Sequence, residues 1–246
     1  APFTLLSSED NPENHLLRSQ NFAKSKFNYE PIYLPKKPSK RPPKITLGYF
    51  SADFKHHPVS ILMARVLETH SRDHFEIHGY SIGPSTKDKM RLRIIKAFDT
   101  FHDVYHVSDK SVALQTRQDR IDIAIDLTGY TQRNRSGIFA YRAAPIQISY
   151  LGYPGTMGAQ FMDYIIADQN LIPPRNLKYY SEKPIYLPHH FQAQDDTLII
   201  ADNTLSRHEL GLPEKSFVFC CINNSYKITV AEFNIWMRLL KRVDGS

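Results

Sequence analysis

Cysteine is scarce in this 246-residue chain, and long apolar runs are absent. The only two cysteines, Cys220 and Cys221, are adjacent on a predicted buried strand. Neighbours on a strand point to opposite faces, so a disulfide framework is excluded and a reducing compartment is favoured. No apolar run approaches the roughly 20 residues of a membrane span, and no signal peptide opens the chain. We therefore expect a soluble, cytoplasmic protein with no membrane partner.

The excess of positive over negative charge is also small, with a net charge of +6 and 23% charged residues. The local basic excess sits among prolines, at Lys36, Lys37, Lys40, Arg41 and Lys44. A nucleic-acid surface needs a basic face interleaved with aromatic residues. A solvated, extended linker therefore explains this stretch better, and we predict no nucleic-acid partner.

Two glycine-rich nucleotide motifs are missing as well. The chain contains neither G-x-G-x-x-G nor a phosphate loop ending in Gly-Lys-Ser/Thr. These absences argue against a nicotinamide or ATP site of the familiar kind.

Apolar strands alternate with helical segments along most of the chain. A helix is predicted at 10–27, capped by Asp10 or Asn11, and an extended linker with five prolines follows at 29–44. Predicted strands then occupy 45–50, 75–82, 101–107, 121–127, 145–151 and 163–168. Predicted helices occupy 57–70, 88–98 and 108–120, the last with Ser108 as its cap. This alternation predicts a doubly wound, Rossmann-like α/β fold with a parallel sheet.

The C-terminal part gives weaker patterns. Residues 180–188 suggest an edge strand, and 207–212 suggest a short helix closed by Gly211. The apolar run 217–222, the polar turn 223–227 and a helical stretch resemble the first strand–loop–helix unit of another α/β domain. We therefore predict three parts: a helix and linker (1–43), a first lobe (44–205) and the start of a second lobe (206–246).

The first candidate site follows the strand at 45–50, because ligands of open parallel sheets bind beyond the carboxyl ends of the strands. Asp53, His56 and His57 lie there, before a predicted helix. These side chains can orient or accept a proton, and the helix N-terminus can bind a phosphate. The plain alternative is that Asp53 caps a turn and the histidines are solvated. No third ligand has a recognisable spacing, so we predict no metal site.

Polar turns follow three further strands. Thr128, Gly129 and Thr131 follow 121–127, with Arg133 and Arg135 beyond them, and suit a phosphate or sugar hydroxyl, unless this is a plain loop.

The run GYPGTMG follows 145–151 and allows close approach of the backbone to a ligand. Asn223, Asn224 and Lys227 follow 217–222, where a lysine suits a diphosphate. A solvated lysine in a capped turn is the alternative there.

Together these loops resemble one family. The runs GYFSADFKHHPVSILM, DLTGYTQ, FAYRAAPIQISYLGYPGTMGAQFMDYIIAD, YSEKPIYLP and FCCINNSYKI follow one another in unbroken order over about residues 44–243. They are similar to the catalytic region of the O-GlcNAc-transferase-like glycosyltransferases, family 41.

The resemblance implies a two-lobed enzyme that transfers N-acetylglucosamine, or another sugar, from a UDP-sugar to protein Ser or Thr hydroxyls. It implies no cofactor and no metal, with the UDP-sugar as co-substrate, an acceptor protein as partner and tetratricopeptide repeats upstream. Matching motifs suggest catalytic roles for Asp53, His57 and Lys227. They also suggest substrate contacts for Leu151, Gly152, Pro154 and Asn224, and Thr131 adds a candidate from its loop.

Two departures from the family pattern matter. Animal members carry a second active-site histidine before this region, and Ala1-Pro2-Phe3 has none. The second lobe is represented only by its predicted first unit, so we expect this chain alone to be inactive. A non-catalytic interaction module, or a pseudoenzyme derived from such a lobe, is the alternative function.

Overall fold

Seven short strands form one parallel sheet. The structure is a computed structural model that describes residues 2–29 and 42–244. The strands are β1 (Ile45–Ser51), β2 (Phe75–Ser81), β3 (Thr100–Asp103), β4 (Ile123–Asp126), β5 (Ile146–Ser149), β6 (Tyr164–Ala167) and β7 (Lys183–Tyr186). Their order in the sheet is β3-β2-β1-β4-β5-β6-β7, and every neighbouring pair is parallel. The predicted doubly wound α/β fold is confirmed.

The α-helices of the described residues are α1 (Pro12–Lys26), α2 (Pro58–Thr69), α3 (Lys89–Ala97), α4 (Asp109–Gln118), α5 (Gly137–Ala140) and α6 (Val230–Arg242), and short 3-10 helices occupy Pro2–Leu5, Pro174–Tyr179 and Ser225–Lys227. Local cap signals located several of them. The side chain of Asn11 accepts a hydrogen bond from the Asn14 amide (3.1 Å), and that of Ser108 accepts one from the Ser111 amide (3.2 Å). No helix in 2–29 or 42–244 has both the length and the apolar character needed to cross a bilayer.

The core lies on both faces of the sheet because successive strand residues point to opposite sides. Phe50 packs on one face, in a cluster that includes residues of α1, α4 and α5. Tyr49 packs on the other face, with residues of α2 and α3. Both faces of β1 are therefore buried, which explains its nearly continuous apolar sequence.

Strand β7 forms one edge of the sheet, as predicted for 180–188. It pairs in parallel with β6, and Pro184 lies opposite Ile165. A proline has no backbone N–H to donate, so an edge strand is the position in a sheet that tolerates it.

The chain divides into two compact units, Ala1–Thr197 and Leu198–Ser246. The sheet and helices α1–α5 belong to the first unit, and α6 belongs to the second. The predicted division into 1–43, 44–205 and 206–246 stays a prediction. The basic residues Lys36, Lys37, Lys40 and Arg41, with most of the predicted linker, lie outside the described residues.

The strand predicted at 217–222 is wrong. These residues form no strand, and Cys220 and Cys221 are exposed rather than buried. The second unit has no other strand within its described residues to pair with this run. Without a neighbouring strand, the backbone N–H and C=O groups of an extended segment have no ladder partners. The helical stretch that follows is confirmed as α6, so only the helical half of the predicted unit is present.

The short helix predicted at 207–212 is also wrong, because these residues form a hydrogen-bonded turn. The Leu212 amide donates to the Arg207 carbonyl (2.8 Å), and the Gly211 amide donates to the His208 carbonyl (3.0 Å). Gly211 has φ of +64°, the left-handed conformation that ends helices. The predicted terminating conformation at Gly211 is thus present, but it ends one hydrogen-bonded turn and not a helix.

The buried face of α2 provides a stability test. Leu67 is completely buried, so Leu67→Ala should lower the free energy of unfolding by about 2–5 kcal/mol through lost burial and a residual cavity. Leu92→Ala on α3 is the matched control, because Leu92 is 55% exposed and its truncation should change stability by less than about 0.5 kcal/mol. Urea unfolding of both variants measures this, and equal losses would contradict the assigned core.

Candidate functional site at the reversal of strand order

The strand order reverses between β1 and β4, which are direct neighbours in the sheet. At such a reversal, the loops leaving the two strands diverge and open a crevice beyond their carboxyl ends. The two loops remain tied at their base, because the Ala52 amide donates a hydrogen bond to Thr128 Oγ1 (3.0 Å). The candidate residues of the first unit therefore leave the sheet at the position expected for a ligand site.

The structure brings Asp53 and His57 together. Asp53 Oδ2 lies 3.8 Å from His57 Nδ1, and its Oδ1 lies 3.6 Å from Lys55 Nζ. The backbone of this loop is held by Ser60 Oγ, which donates a hydrogen bond to the Asp53 carbonyl (2.7 Å). His57 caps α2, with its Nδ1 accepting a hydrogen bond from the Val59 amide (3.3 Å). The imidazole is thus held next to a carboxylate and is not a freely solvated side chain.

The protonation state of His57 follows from this geometry. Burial lowers the pKa of His57, whereas Asp53 raises it and Lys55 lowers it further. The net lowering favours the neutral imidazole near pH 7. Since Nδ1 accepts the cap hydrogen bond, the proton of the neutral ring sits on Nε2.

A buried carboxylate that the sequence interpretation did not assign shapes the turn after β4. Asp126 Oδ1 accepts hydrogen bonds from the amides of Thr128 (2.9 Å) and Gly129 (3.0 Å). Gly129 has φ of +54°, and a Cβ there would collide with Tyr153. Thr131 Oγ1 donates to the Thr128 carbonyl (2.9 Å), so this hydroxyl is used within the turn. Its predicted contact with substrate stays a prediction.

The two arginines after this turn differ in their surroundings. Arg135 donates to Asp109 Oδ1 from Nε (2.7 Å) and to the Val104 carbonyl from Nη1 (2.8 Å). These bonds tie the guanidinium to the first residue of α4 and to the start of the loop that follows β3. Arg133 is exposed and has φ of +61°, a left-handed conformation uncommon for a residue with a Cβ.

The loop after β5 lies against the end of β4. Leu151 has φ of +67°, again left-handed, and a Cβ on Gly152 would collide with the Leu127 carbonyl oxygen. Pro154 is held through its carbonyl, which accepts a hydrogen bond from the Tyr180 hydroxyl (3.2 Å). A strained non-glycine residue in a closely packed loop is a pattern often found at ligand sites.

Glu182 fixes the far end of that loop, and the sequence interpretation treated it only as part of a strand. Its carboxylate accepts hydrogen bonds from Thr156 Oγ1 (2.6 Å), the Met157 amide (2.6 Å) and Ser181 Oγ (3.1 Å). Burial raises the pKa of Glu182, and these hydrogen bonds lower it in part. Glu182 lies between Ser181 and Lys183 in the sequence, so its residue type gave no signal, and its partners Thr156 and Met157 lie 25 or more residues away.

Asn224 and Lys227 belong to the second unit. Ser225–Lys227 forms a short 3-10 turn in which the Lys227 amide donates to the Asn224 carbonyl (3.0 Å). Both side chains are exposed in that unit. Asp53, His57, Thr131 and Leu151–Pro154 thus lie in loops at the carboxyl edge of one sheet. Asn224 and Lys227 belong to the other compact unit.

This combination of a parallel doubly wound sheet, polar loops at the strand-order reversal and a constrained glycine loop defines a Rossmann-like ligand-binding lobe. The sequence profile of glycosyl transferase family 41 matches residues 21–205. The chain therefore belongs to glycosyl transferase family 41, as its motifs predicted.

Named relatives agree with this assignment. The chain is 37% identical over 208 residues to a probable UDP-N-acetylglucosamine–peptide N-acetylglucosaminyltransferase, SEC, of Arabidopsis thaliana, covering 82% of this chain and 21% of that protein. It is 38% identical over 149 residues to the UDP-N-acetylglucosamine–peptide N-acetylglucosaminyltransferase of Caenorhabditis elegans, covering 60% of this chain and 13% of that protein. The chain thus spans about a fifth or less of the length of these relatives.

A solved structure shows the same architecture. A mutant of the O-GlcNAc transferase of Thermobaculum terrenum superposes with a TM-score of 0.72 at 27% sequence identity. The match covers 76% of this chain and 36% of that one.

The buried Asp126 gives the site a measurable pH dependence. Burial raises the pKa of Asp126 from 3.8 to about 6, although the amides of Gly129 and Thr128 oppose the shift. The folded state then binds more protons than the unfolded state between these values, so stability falls as the pH rises from about 4 to about 6. Relative to Asp126→Asn, the wild-type chain should lose about 2 kcal/mol of unfolding free energy over this interval, out of about 3 kcal/mol over the complete titration.

Urea unfolding of both proteins at pH 4, 5, 6 and 7 measures the effect. Other titrating groups, including Glu182, are common to both and cancel in the difference. Parallel stability curves for the two proteins would contradict the raised pKa of Asp126.

Proposed function

We propose that this chain is a segment of a protein O-glycosyltransferase that transfers N-acetylglucosamine, or a related sugar, from a UDP-sugar to Ser or Thr hydroxyls. In this proposal, residues 44–205 form the first catalytic lobe and 206–246 begin the lobe that holds UDP. The observation that carries the proposal is the Asp53–His57 pair at the strand-order reversal of a family 41 domain. The relatives' names supply the sugar donor and the peptide acceptor.

The reaction needs one proton acceptor and one group that stabilises the leaving diphosphate. The acceptor hydroxyl oxygen forms a bond to the anomeric carbon while the bond from that carbon to the UDP oxygen breaks. The hydroxyl loses its proton, and UDP leaves with the electron pair. Attack opposite UDP inverts the anomeric configuration.

Asp53 is the proton acceptor in this proposal, because the neutral His57 ring already carries its proton on Nε2 and uses Nδ1 for the helix cap. His57 Nε2–H instead donates a hydrogen bond to a substrate oxygen. Lys55 Nζ lies 3.6 Å from the Asp53 carboxylate, so an ammonium group accompanies this carboxylate at the site.

Lys227 and Asn224 contact the UDP part of the sugar donor in this proposal. A lysine ammonium next to a diphosphate compensates the negative charge that develops as the sugar departs. The Asn224 side chain contacts the nucleotide. Leu151, Gly152 and Pro154 position the donor sugar and the acceptor through their constrained loop, and Thr131 adds a hydroxyl contact.

The proposal extends to the setting of the enzyme. The full-length protein works in the cytoplasm, with tetratricopeptide repeats upstream, and its chemistry requires no metal ion or cofactor. It has no nucleic-acid or membrane partner.

The two assigned charges can be tested in the full-length protein. Asp53→Asn should lower kcat by about 10²–10⁴-fold because the hydroxyl loses its proton acceptor. Lys227→Ala should lower kcat by about 10²–10³-fold because the diphosphate charge is no longer compensated. Transfer of radiolabelled N-acetylglucosamine to an acceptor protein measures both effects.

The matched controls are Asp73→Asn and Lys215→Ala, which change exposed residues of the same types. Both should retain wild-type turnover, and all four variants should keep the circular dichroism spectrum of the parent. Near-normal rates for Asp53→Asn and Lys227→Ala would remove the assigned roles, and a folded wild-type protein without transfer would favour the interaction-module alternative.

The 246-residue chain alone should bind UDP more weakly than about 1 mM. A lone exposed lysine contributes about 1 kcal/mol or less to an ion pair, whereas millimolar affinity already requires about 4 kcal/mol. Isothermal titration calorimetry with UDP tests this, and a micromolar dissociation constant would show that these residues already form a complete nucleotide site.

A further inference from the structure

Two histidines and an aspartate meet at the β2–β3 side of the sheet, apart from the loops that carry the proposed catalytic residues. His102 on β3 lies opposite Tyr80 on β2, and His78 lies two residues before Tyr80, so all three share one face. The imidazole centroids of His78 and His102 are 5.9 Å apart. Asp119 follows α4 and is held there by the Tyr80 hydroxyl, which donates to Asp119 Oδ2 (2.6 Å).

One nitrogen of each imidazole is buried without a hydrogen-bond partner in the described part of the chain. These atoms are His78 Nδ1 and His102 Nε2, and His78 as a whole is only 6% exposed. Buried polar atoms are almost always satisfied. The ring nitrogen His102 Nε2 lies 3.5 Å from Asp119 Oδ2, and His78 Nδ1 is available to a ligand at the same place. One ligand atom each from His78, His102 and Asp119 lies within 4.8 Å of the other two.

The second nitrogen of each ring has a side-chain partner. His78 Nε2 donates to Glu76 Oε1 (2.9 Å), which leaves the lone pair on the unpartnered Nδ1. As placed, Gln115 Nε2 lies 3.0 Å from His102 Nδ1 and donates to it. The two ends of a side-chain amide are assigned and not observed. If the two ends of that amide are exchanged, Oε1 accepts the Nδ1 proton and the lone pair lies on Nε2. A metal-binding histidine typically donates its other N–H to a carboxylate or carbonyl in this way.

We propose that His78, His102 and Asp119 form a binding site for a divalent transition-metal ion, with Zn²⁺ as the best match. Two imidazoles and a carboxylate are a usual zinc ligand set, and a water completes the tetrahedron. Ligand atoms at zinc distances lie about 3.4 Å apart in a tetrahedron. His102 Nε2 and Asp119 Oδ2 are already 3.5 Å apart, so the rearrangement falls mainly on His78.

Charge and access also suit a cation. The two negative charges of Asp119 and Glu76 balance the charge of the dication. Asp119 is a direct ligand, and Glu76 accepts a hydrogen bond from the other nitrogen of the His78 ring. The Asp119 side chain is 23% exposed, so an ion can enter and a water can fill the fourth position. The His102 ring stacks on Tyr80 with centroids 4.8 Å apart, which fixes its plane.

A metal ion at this site would stabilise the fold and would take no part in sugar transfer. Strand β3 is a four-residue edge strand that pairs only with β2 within the described residues. An ion bound by the three residues joins β2, β3 and the end of α4. This inference does not rest on the proposed function, because it needs neither UDP nor an acceptor.

The test uses the 246-residue chain, freed of metal by a chelator and titrated with Zn²⁺ against a chromophoric zinc indicator. The wild-type chain should bind one equivalent at this site, and its melting temperature should rise by about 5–10 °C at zinc concentrations about 100-fold above Kd. His102→Gln and His78→Gln should weaken binding by more than the roughly 10- to 100-fold caused by losing an outer partner. Glu76→Gln should fall within that smaller range.

His106→Gln is the matched control, because His106 is an exposed histidine just beyond β3 and should leave zinc binding unchanged. If a histidine variant fails to fold, Asp119→Asn keeps the side-chain shape and should still weaken binding. Co²⁺ bound at the site should give the intense visible absorption of a four-coordinate ion. Zinc binding that survives in Asp119→Asn and His102→Gln, or the absence of any melting shift in the wild type, would overturn the proposal.

Discussion

The candidate site depends on one buried carboxylate. Asp126 ends a central strand, and its two hydrogen bonds to backbone amides set the turn that carries Thr128. Thr128 in turn accepts a hydrogen bond from the Ala52 amide, directly before Asp53. The position of the proposed proton acceptor is therefore fixed through a buried chain of hydrogen bonds that begins on a neighbouring strand. Keeping Asp126 in a dry environment costs stability near neutral pH, and a defined loop conformation is obtained in exchange.

Glycines supply a second constraint at the same edge. The loops after β4 and β5 approach so closely that neither Gly129 nor Gly152 can carry a Cβ. Leu151, next to Gly152, adopts a left-handed backbone although it is not a glycine. The surrounding packing must hold it there, and Glu182 contributes by fixing the other end of the loop. The loop shape is thus determined by buried contacts on both sides rather than by its own sequence preferences.

Local signals explain what could be predicted from the sequence. Asn11 and Ser108 mark helix starts, and strands such as β1 and β6 have apolar sequences that can be recognised without knowledge of their partners. The same rule failed at 217–222, because an apolar run becomes a strand only when another strand satisfies its backbone. Asp126 and Glu182 escaped the sequence interpretation for a related reason. Thr156 and Met157, which bind Glu182, lie 25 or more residues away in sequence. The partners of Asp126 are only two and three residues along the chain, but its complete burial follows from the packing of the sheet.

The cap formed by His57 links proton transfer to the backbone of α2. If this imidazole took up a proton at Nδ1, the Val59 amide would lose its acceptor and the first turn of the helix would lose its cap. A carboxylate such as Asp53 can take and release a proton in each cycle without altering any helix. In the proposed division of roles, Asp53 moves the proton and His57 keeps its hydrogen bond to the Val59 amide, so the first turn of α2 would stay unchanged through each turnover.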